Sequence, residues 1–220
     1  MNINEIYKLV EYVANKEQRG DVPPEKFNIL APAAQNEVIS EYIGPPESPV
    51  GGPKYGYKHN RRISEAIRPL VTPLEEIVLD TQGNFEYPYG FIWPDSVQKT
   101  DFNPIKEIES DEYPFIKRSH LIPPTVDYPV LIWRNPYGFI DPYNIGSFLM
   151  SYVKRPPAPY WAYDVVNDAP VYNAGNSVQF ALQDEFSSIR IAMKILSYIG
   201  INLDAAQVTQ FAELKQAKGT

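Results

Sequence analysis

Twenty-two of the 220 residues are proline, twice the usual ~5%. Proline fixes φ and lacks an amide donor, so it suits turns, edge strands and extended backbone. A chain this rich in it must hold long irregular stretches, and any sheet it forms is expected to be small and antiparallel. Tyrosine is also abundant, at 16. It pairs apolar area with a hydroxyl and suits surfaces that become buried against a partner. Together the two residue types point to an assembly component more than to a freestanding enzyme.

The length suits one compact domain, residues 1–220, with or without a projecting arm. Hydrophobic residues at 44% and charged residues at 21% exclude wholesale disorder. Cysteine is absent, which removes disulfides, thiolate metal sites and cysteine nucleophiles. The two histidines, His59 and His120, are far apart, so His-rich metal chemistry is not expected, and no cofactor is implied. A net charge of −7 argues against tight binding to DNA or RNA, which relies on cations that neutralise phosphates. Met1-Asn-Ile-Asn-Glu5 lacks the basic and apolar regions of a signal peptide. No run of about 18 apolar residues predicts a membrane span.

Helices are expected towards both ends and strands between them, an α+β class. Ile3, Ile6, Tyr7, Val10, Val13 and Ala14 form one helical stripe, and Asn2 with Glu5 fits a capping box. A second helix opens at Pro23-Pro24, carries Phe27, Leu30, Ala34 and Val38, and stops at Gly44. Pro32 predicts either a kink there or a separate helix starting at Pro32. Residues 44–60 are dense in Pro and Gly and read as an arm, either a mobile insertion or a segment ordered against a neighbouring subunit. Residues 61–70 read as a short helix ending before Pro69.

The β-rich part covers about 70–163, with strands at Ile77–Leu79, Tyr89–Trp93, Val130–Trp133, Phe139–Ile140 and Phe148–Val153, and a short helix near Asp111–Ser119. Residues 164–179 read as loop. A helix over Gln183–Ile199 is apolar on two faces, and a last one runs from Asp204 to about Gln216. The helical parts, about 1–43 and 183–217, are expected to pack together as a bundle.

Catalytic patterns are missing: no phosphate loop, dinucleotide glycines, zinc helix or nucleophile elbow occurs. Glu75, Glu76 and Asp80, and the run Glu107, Glu109, Asp111 and Glu112, read as solvated acidic surface, since nothing singles out a facing carboxylate pair. Ser119 beside His120 makes no triad. The basic cluster Lys54, Lys58, His59, Arg61 and Arg62 reads as balancing an acidic partner surface. In Tyr152-Val-Lys-Arg-Pro-Pro-Ala-Pro-Tyr-Trp161 a strand exits into a stiff proline run with Trp161 as an anchor, or as a polyproline ligand for a partner groove. The candidate inter-subunit contacts are Tyr55, Tyr57, Arg61, Arg62, Arg155 and Trp161.

The order of several segments resembles a known family. They are Ile3-x-x-Ile-Tyr, Asn15-Lys-x-Gln-Arg-Gly20, Pro23-Pro-Glu-x-Phe-Asn-x-Leu-Ala, Ser119-x-x-x-Pro-Pro-Thr125 with Tyr128-Pro-Val, Tyr152-x-x-Arg-Pro-Pro-x-Pro-x-Trp161, and Ala192 to Gln216 with Gly200-Ile-Asn-Leu. This pattern resembles the ring, or head-to-tail adaptor, proteins of crAss-like bacteriophages. Pro32 departs from the unbroken second helix of that pattern. The resemblance implies a non-enzymatic virion protein of the neck or tail, assembled in the host bacterial cytoplasm. It implies a homo-oligomeric ring, a dodecamer by family pattern, next to the portal and adjacent ring or tail proteins, with DNA passing through without tight binding. No membrane is involved. Two other classes stay open: a carbohydrate-binding or tail adhesion module, since Tyr and Trp stack on sugars, and a small hydrolase using a carboxylate pair.

Overall fold

The computed structural model describes residues 1–16, 21–44 and 61–200. The fold is α+β, and among the described residues it contains five helices and nine strands. The chain divides into two compact units. One joins Met1–Pro69 to the residues from Pro156 onward, and the other is Leu70–Arg155. The expected arm beyond Gly44 and the expected helix from Asp204 lie outside the described residues.

The first unit is built on helices α1 (Ile3–Lys16), α2 (Pro24–Ile43), α3 (Arg61–Ile67) and α5 (Glu185–Tyr198). The capping box forms in both directions: Glu5 N–H donates to Asn2 Oδ1 at 2.8 Å, and Asn2 N–H donates to Glu5 Oε2 at 2.9 Å. All six residues of the predicted stripe on α1 are buried, with Leu9 beside them. Asp184 caps α5 by accepting from Ser187 N–H at 2.9 Å. Helix α5 packs against α1 and α2, burying Ile191, Ala192, Ile195 and Leu196. Of the two predicted apolar faces, one has Phe186, Ile189 and Met193 half-buried beside buried Leu196, and the other has Ile191 and Ile195 buried with Tyr198 exposed.

Helix α2 is continuous through Pro32, which corrects the alternative of a separate helix starting there. Phe27, Ala31, Ala34 and Val38 are all fully buried on one face that spans the proline. Burying Phe27 alone is worth ~1.5–3 kcal/mol, so the whole face outweighs the ~3 kcal/mol that an internal proline costs. The helix ends as expected at Gly44, whose N–H donates to Ser40 O at 3.1 Å from a positive φ.

Between α2 and α5 run three ion pairs, Lys194 with Glu37 and Glu41, and Arg190 with Glu41. The Lys194 ammonium and the Tyr198 hydroxyl hold Glu37 below the ordinary glutamate range. These groups are solvent-facing, so they fix the register of the two helices more than they add stability.

A short hairpin also belongs to this unit: β8 (Tyr163–Val166) pairs with β9 (Ala169–Tyr172). This corrects the loop expected over 164–179. Asn167 and Asp168 both take positive φ, 51° and 59°, the conformation of a two-residue hairpin turn whose twist matches its strands. Pro170 is tolerated because both strands of an isolated hairpin are edges.

The second unit contains two sheets. In the first, β7 (Ser147–Lys154) lies between β1 (Val71–Val78) and β3 (Phe91–Lys99), all antiparallel. Pro73 and Pro94 sit on the outer strands, where the register slips beside each of them, as their missing amides require. Central β7 is buried from Met150 to Val153.

The second sheet has the order β2 (Asn84–Phe85), β6 (Gly138–Asp141), β5 (Val130–Ile132), β4 (Lys106–Glu107). Here β4 runs parallel to β5, a correction to the wholly antiparallel expectation. Only two residues pair, held by Lys106 N–H to Pro129 O and Ile108 N–H to Leu131 O. Helix α4 (Tyr113–Lys117) follows it. The β-rich stretch was expected to reach 163, but residues 156–163 belong to the helical unit.

The core of this second unit gathers Phe85, Leu131, Ile140, Phe148 and Met150. Gly138 lies directly under the Phe85 ring, and a Cβ there would overlap it. Gly138→Ala is therefore expected to lower stability by about 1–3 kcal/mol through overpacking. Urea titration followed by tryptophan fluorescence measures it, and an unchanged midpoint would show that the ring yields.

Candidate functional site

Many of the polar side chains that chemistry would need are engaged in local structure. Asp80 accepts from Gln82 N–H and Asn84 N–H, both at 2.8 Å, and from the Asn84 amide at 3.0 Å. Those bonds close a tight turn and hold its carboxyl below the ordinary aspartate range. Glu75 accepts from the Tyr152 hydroxyl and Glu76 from that of Ser147. Glu107 accepts from the Trp133 indole at 3.0 Å. Asp184 is a helix cap. No group of three or more metal-ligating side chains occurs among the described residues. Ser119 Oγ accepts from Leu121 N–H and Ile122 N–H at 3.2 Å, so it closes a turn, while His120 is exposed.

A groove of about 710 Å³ in the second unit, between β1 and β2, contains Asp80, Glu76, Gln82 and Tyr137. Its Asp80 and Glu76 are the turn and strand carboxylates just described, each already accepting local hydrogen bonds.

Aromatic rings pack on one another in two clusters. Tyr87, Phe91 and Trp133 stack at 5.1–6.0 Å between centroids. Trp161 stacks on Tyr7 at 4.3 Å and lies against Tyr163 and Tyr172 at 5.7 Å. Tyr89, Phe115 and Tyr128 lie outside these clusters and are exposed.

The sequence-predicted contacts separate into three groups. Tyr55 and Tyr57 lie outside the described residues. Arg61 is exposed and pairs with Glu65 at 3.3 Å, and the Arg155 side chain is exposed. Arg62, also exposed, and buried Trp161 both make contacts within the first unit. The Arg62 guanidinium lies 4.1 Å over the Phe186 ring. Trp161 is 3% exposed, donates from Nε1 to Asn4 Oδ1 at 3.2 Å, and has its backbone N–H and C=O both bonded to the Asn28 amide. Trp161 is thus the anchor of the two alternatives, and burial removes it from the surface contacts. The preceding proline run is tied down as well, since buried Gln35 donates to Pro157 O and accepts from Ala181 N–H.

A surface absent from the sequence-predicted contacts is the apolar patch of the second unit that follows β4. Phe115 is 79% exposed, Leu121 92% and Tyr128 80%, with Ile122 beside them. Turns centred on Ser119 and on Thr125–Tyr128 hold this segment without regular structure. The patch borders an apolar groove of about 420 Å³ lined by Ile116, Leu121, Ile122, Pro123 and Tyr128. The signal was Leu121-Ile-Pro-Pro-Thr-Val-Asp-Tyr128, in which bulky apolar residues alternate with prolines and fit neither strand nor helix burial.

No described helix is long and apolar enough to cross a membrane. Neither a protein-family model nor a curated protein matches the chain.

Proposed function

We propose that this protein is a structural subunit of a bacteriophage virion, one protomer of a connector ring that joins portal or head to tail and lines the DNA passage. The observation that carries the reading is the apolar patch around Leu121 and Tyr128. Contiguous exposed apolar surface of this type marks a place where another macromolecule docks. The engagement of the ionisable groups in turns, caps and ion pairs agrees with a protein that holds partners together. In this reading the terminal helices form the bundle of the ring wall. The exposed Arg61 and Arg155 meet neighbouring subunits, and DNA slides past an acidic or neutral lumen.

Native mass spectrometry of the full chain, alone and with portal and tail proteins of the same virion, tests this. A closed oligomer of about twelve copies is expected by analogy with the symmetry of such assemblies. A protein that stays monomeric in both settings overturns the proposal. A carbohydrate-binding or adhesion module would instead stay monomeric and respond to glycans.

A further inference from the structure

We propose that the β8–β9 hairpin of one copy docks in the apolar groove beside β4 and α4 of a second copy, so that neighbours join head to tail. The inference rests on the ring reading and adds to it the surfaces that make the contact.

The hairpin is apolar on both sides. Its register sets Val165 opposite Pro170 on one face, and Val166 opposite Ala169 on the other, next to Val171. All five are exposed, Val165 by 68%. Two strands alone cannot bury such residues, because a hairpin has no second layer. The element is nonetheless stiff. Its turn uses two left-handed residues. Its root is held by the stack of Trp161 on Tyr163 and Tyr172, by the Tyr163 hydroxyl on Glu25, and by Asn173 on Asp164. A preorganised apolar finger loses little freedom on docking.

The groove is its complement. Among the described residues that line it, Lys106 carries the only charge, and Lys106 is exposed. The charges on the hairpin, Asp164 and Asp168, are both acidic. Apolar surface thus meets apolar surface, and the one charge in the groove lining is opposite in sign to those on the hairpin, which favours this pairing over hairpin on hairpin. One chain carries both halves, and the halves differ. Such a contact is heterologous: each copy offers a finger to one neighbour and a groove to the other, and it closes into a ring when the rotation allows. A hairpin tip is smaller than the ~800 Å² per partner of a standard interface, so proximity is a better readout than affinity for a single contact.

The absence of cysteine makes that readout clean. V166C and I122C proteins, each otherwise the full chain, are mixed and oxidised. A 1:1 disulfide-linked dimer is expected in the mixture and in neither protein alone, with thermal melts unchanged from the parent. Q82C, exposed elsewhere on the second unit, replaces I122C as the collision control. Equal crosslinking of V166C to Q82C, or V166C dimers formed alone, would overturn the docking. Absence of the V166C–I122C dimer while the parent forms closed oligomers would overturn the docking and leave the ring reading standing. The same dimer from a parent that is monomeric by mass would keep the contact and remove the ring.

Discussion

Trp161→Ala is expected to cost about 3–5 kcal/mol, the usual penalty for emptying a large aromatic site. The indole is sealed from solvent, lies face to face with Tyr7, and is flanked by Tyr163 and Tyr172. Its removal leaves a void between α1, α2 and the root of the hairpin. It also frees Tyr7, whose hydroxyl donates to Val22 O at 2.9 Å and whose phenol is pushed well up by burial and nearby carboxylates. Trp161→Phe keeps the stack and loses only the indole bond to half-buried Asn4, so about 1 kcal/mol is expected. Guanidinium titration of both variants measures the contrast. A loss below 1 kcal/mol for the alanine variant would show that the stack is peripheral.

The paired change Leu121→Asp with Tyr128→Asp is expected to abolish assembly and leave the fold intact. Both side chains point into solvent, so substitutions there should move stability by only ~0.5 kcal/mol. An interface that buries them would instead have to bury two carboxylates without partners. Sedimentation velocity of the variant should show a monomer where the parent shows an oligomer. An unchanged oligomer with an unchanged melt would place the subunit contact elsewhere.

The helical part was legible because its signals are local. The Asn2–Glu5 box, the Gly44 stop and the three- and four-residue stripes each depend on neighbours within two turns. Pro32 was ambiguous because its outcome is decided by burial, which depends on residues more than 100 positions away, such as Gln35 reaching Pro157 and Asn28 reaching Trp161. The β8–β9 hairpin was missed because Asn-Asp is a weaker turn signal than Asn-Gly and Pro170 reads as a strand breaker. The parallel β4–β5 pair spans two residues, too few for a period to be read. Of the candidate contacts, Arg155, Arg61 and Arg62 remain exposed, Arg62 with its guanidinium over the Phe186 ring, while Trp161 turns inward. Sequence shows that an aromatic or a guanidinium is present, but the direction it faces is set by packing.

The way the two units share one chain has a consequence for biosynthesis. The chain leaves the helical unit at Pro69 and re-enters it at Pro156. Helices α1 and α2 emerge from the ribosome long before α5 and the Trp161 anchor, and until then their apolar stripes have only each other as cover, as where Tyr7 meets Phe27. Residues 70–155 can close their own sheets first, since those pairings lie within the unit. The nascent chain therefore completes its inner segment before its outer one, the reverse of simple N-to-C order. A chain cut after Arg155 should hold a folded insert with an open helical cradle, the state in which a chaperone would find its longest exposed stripe.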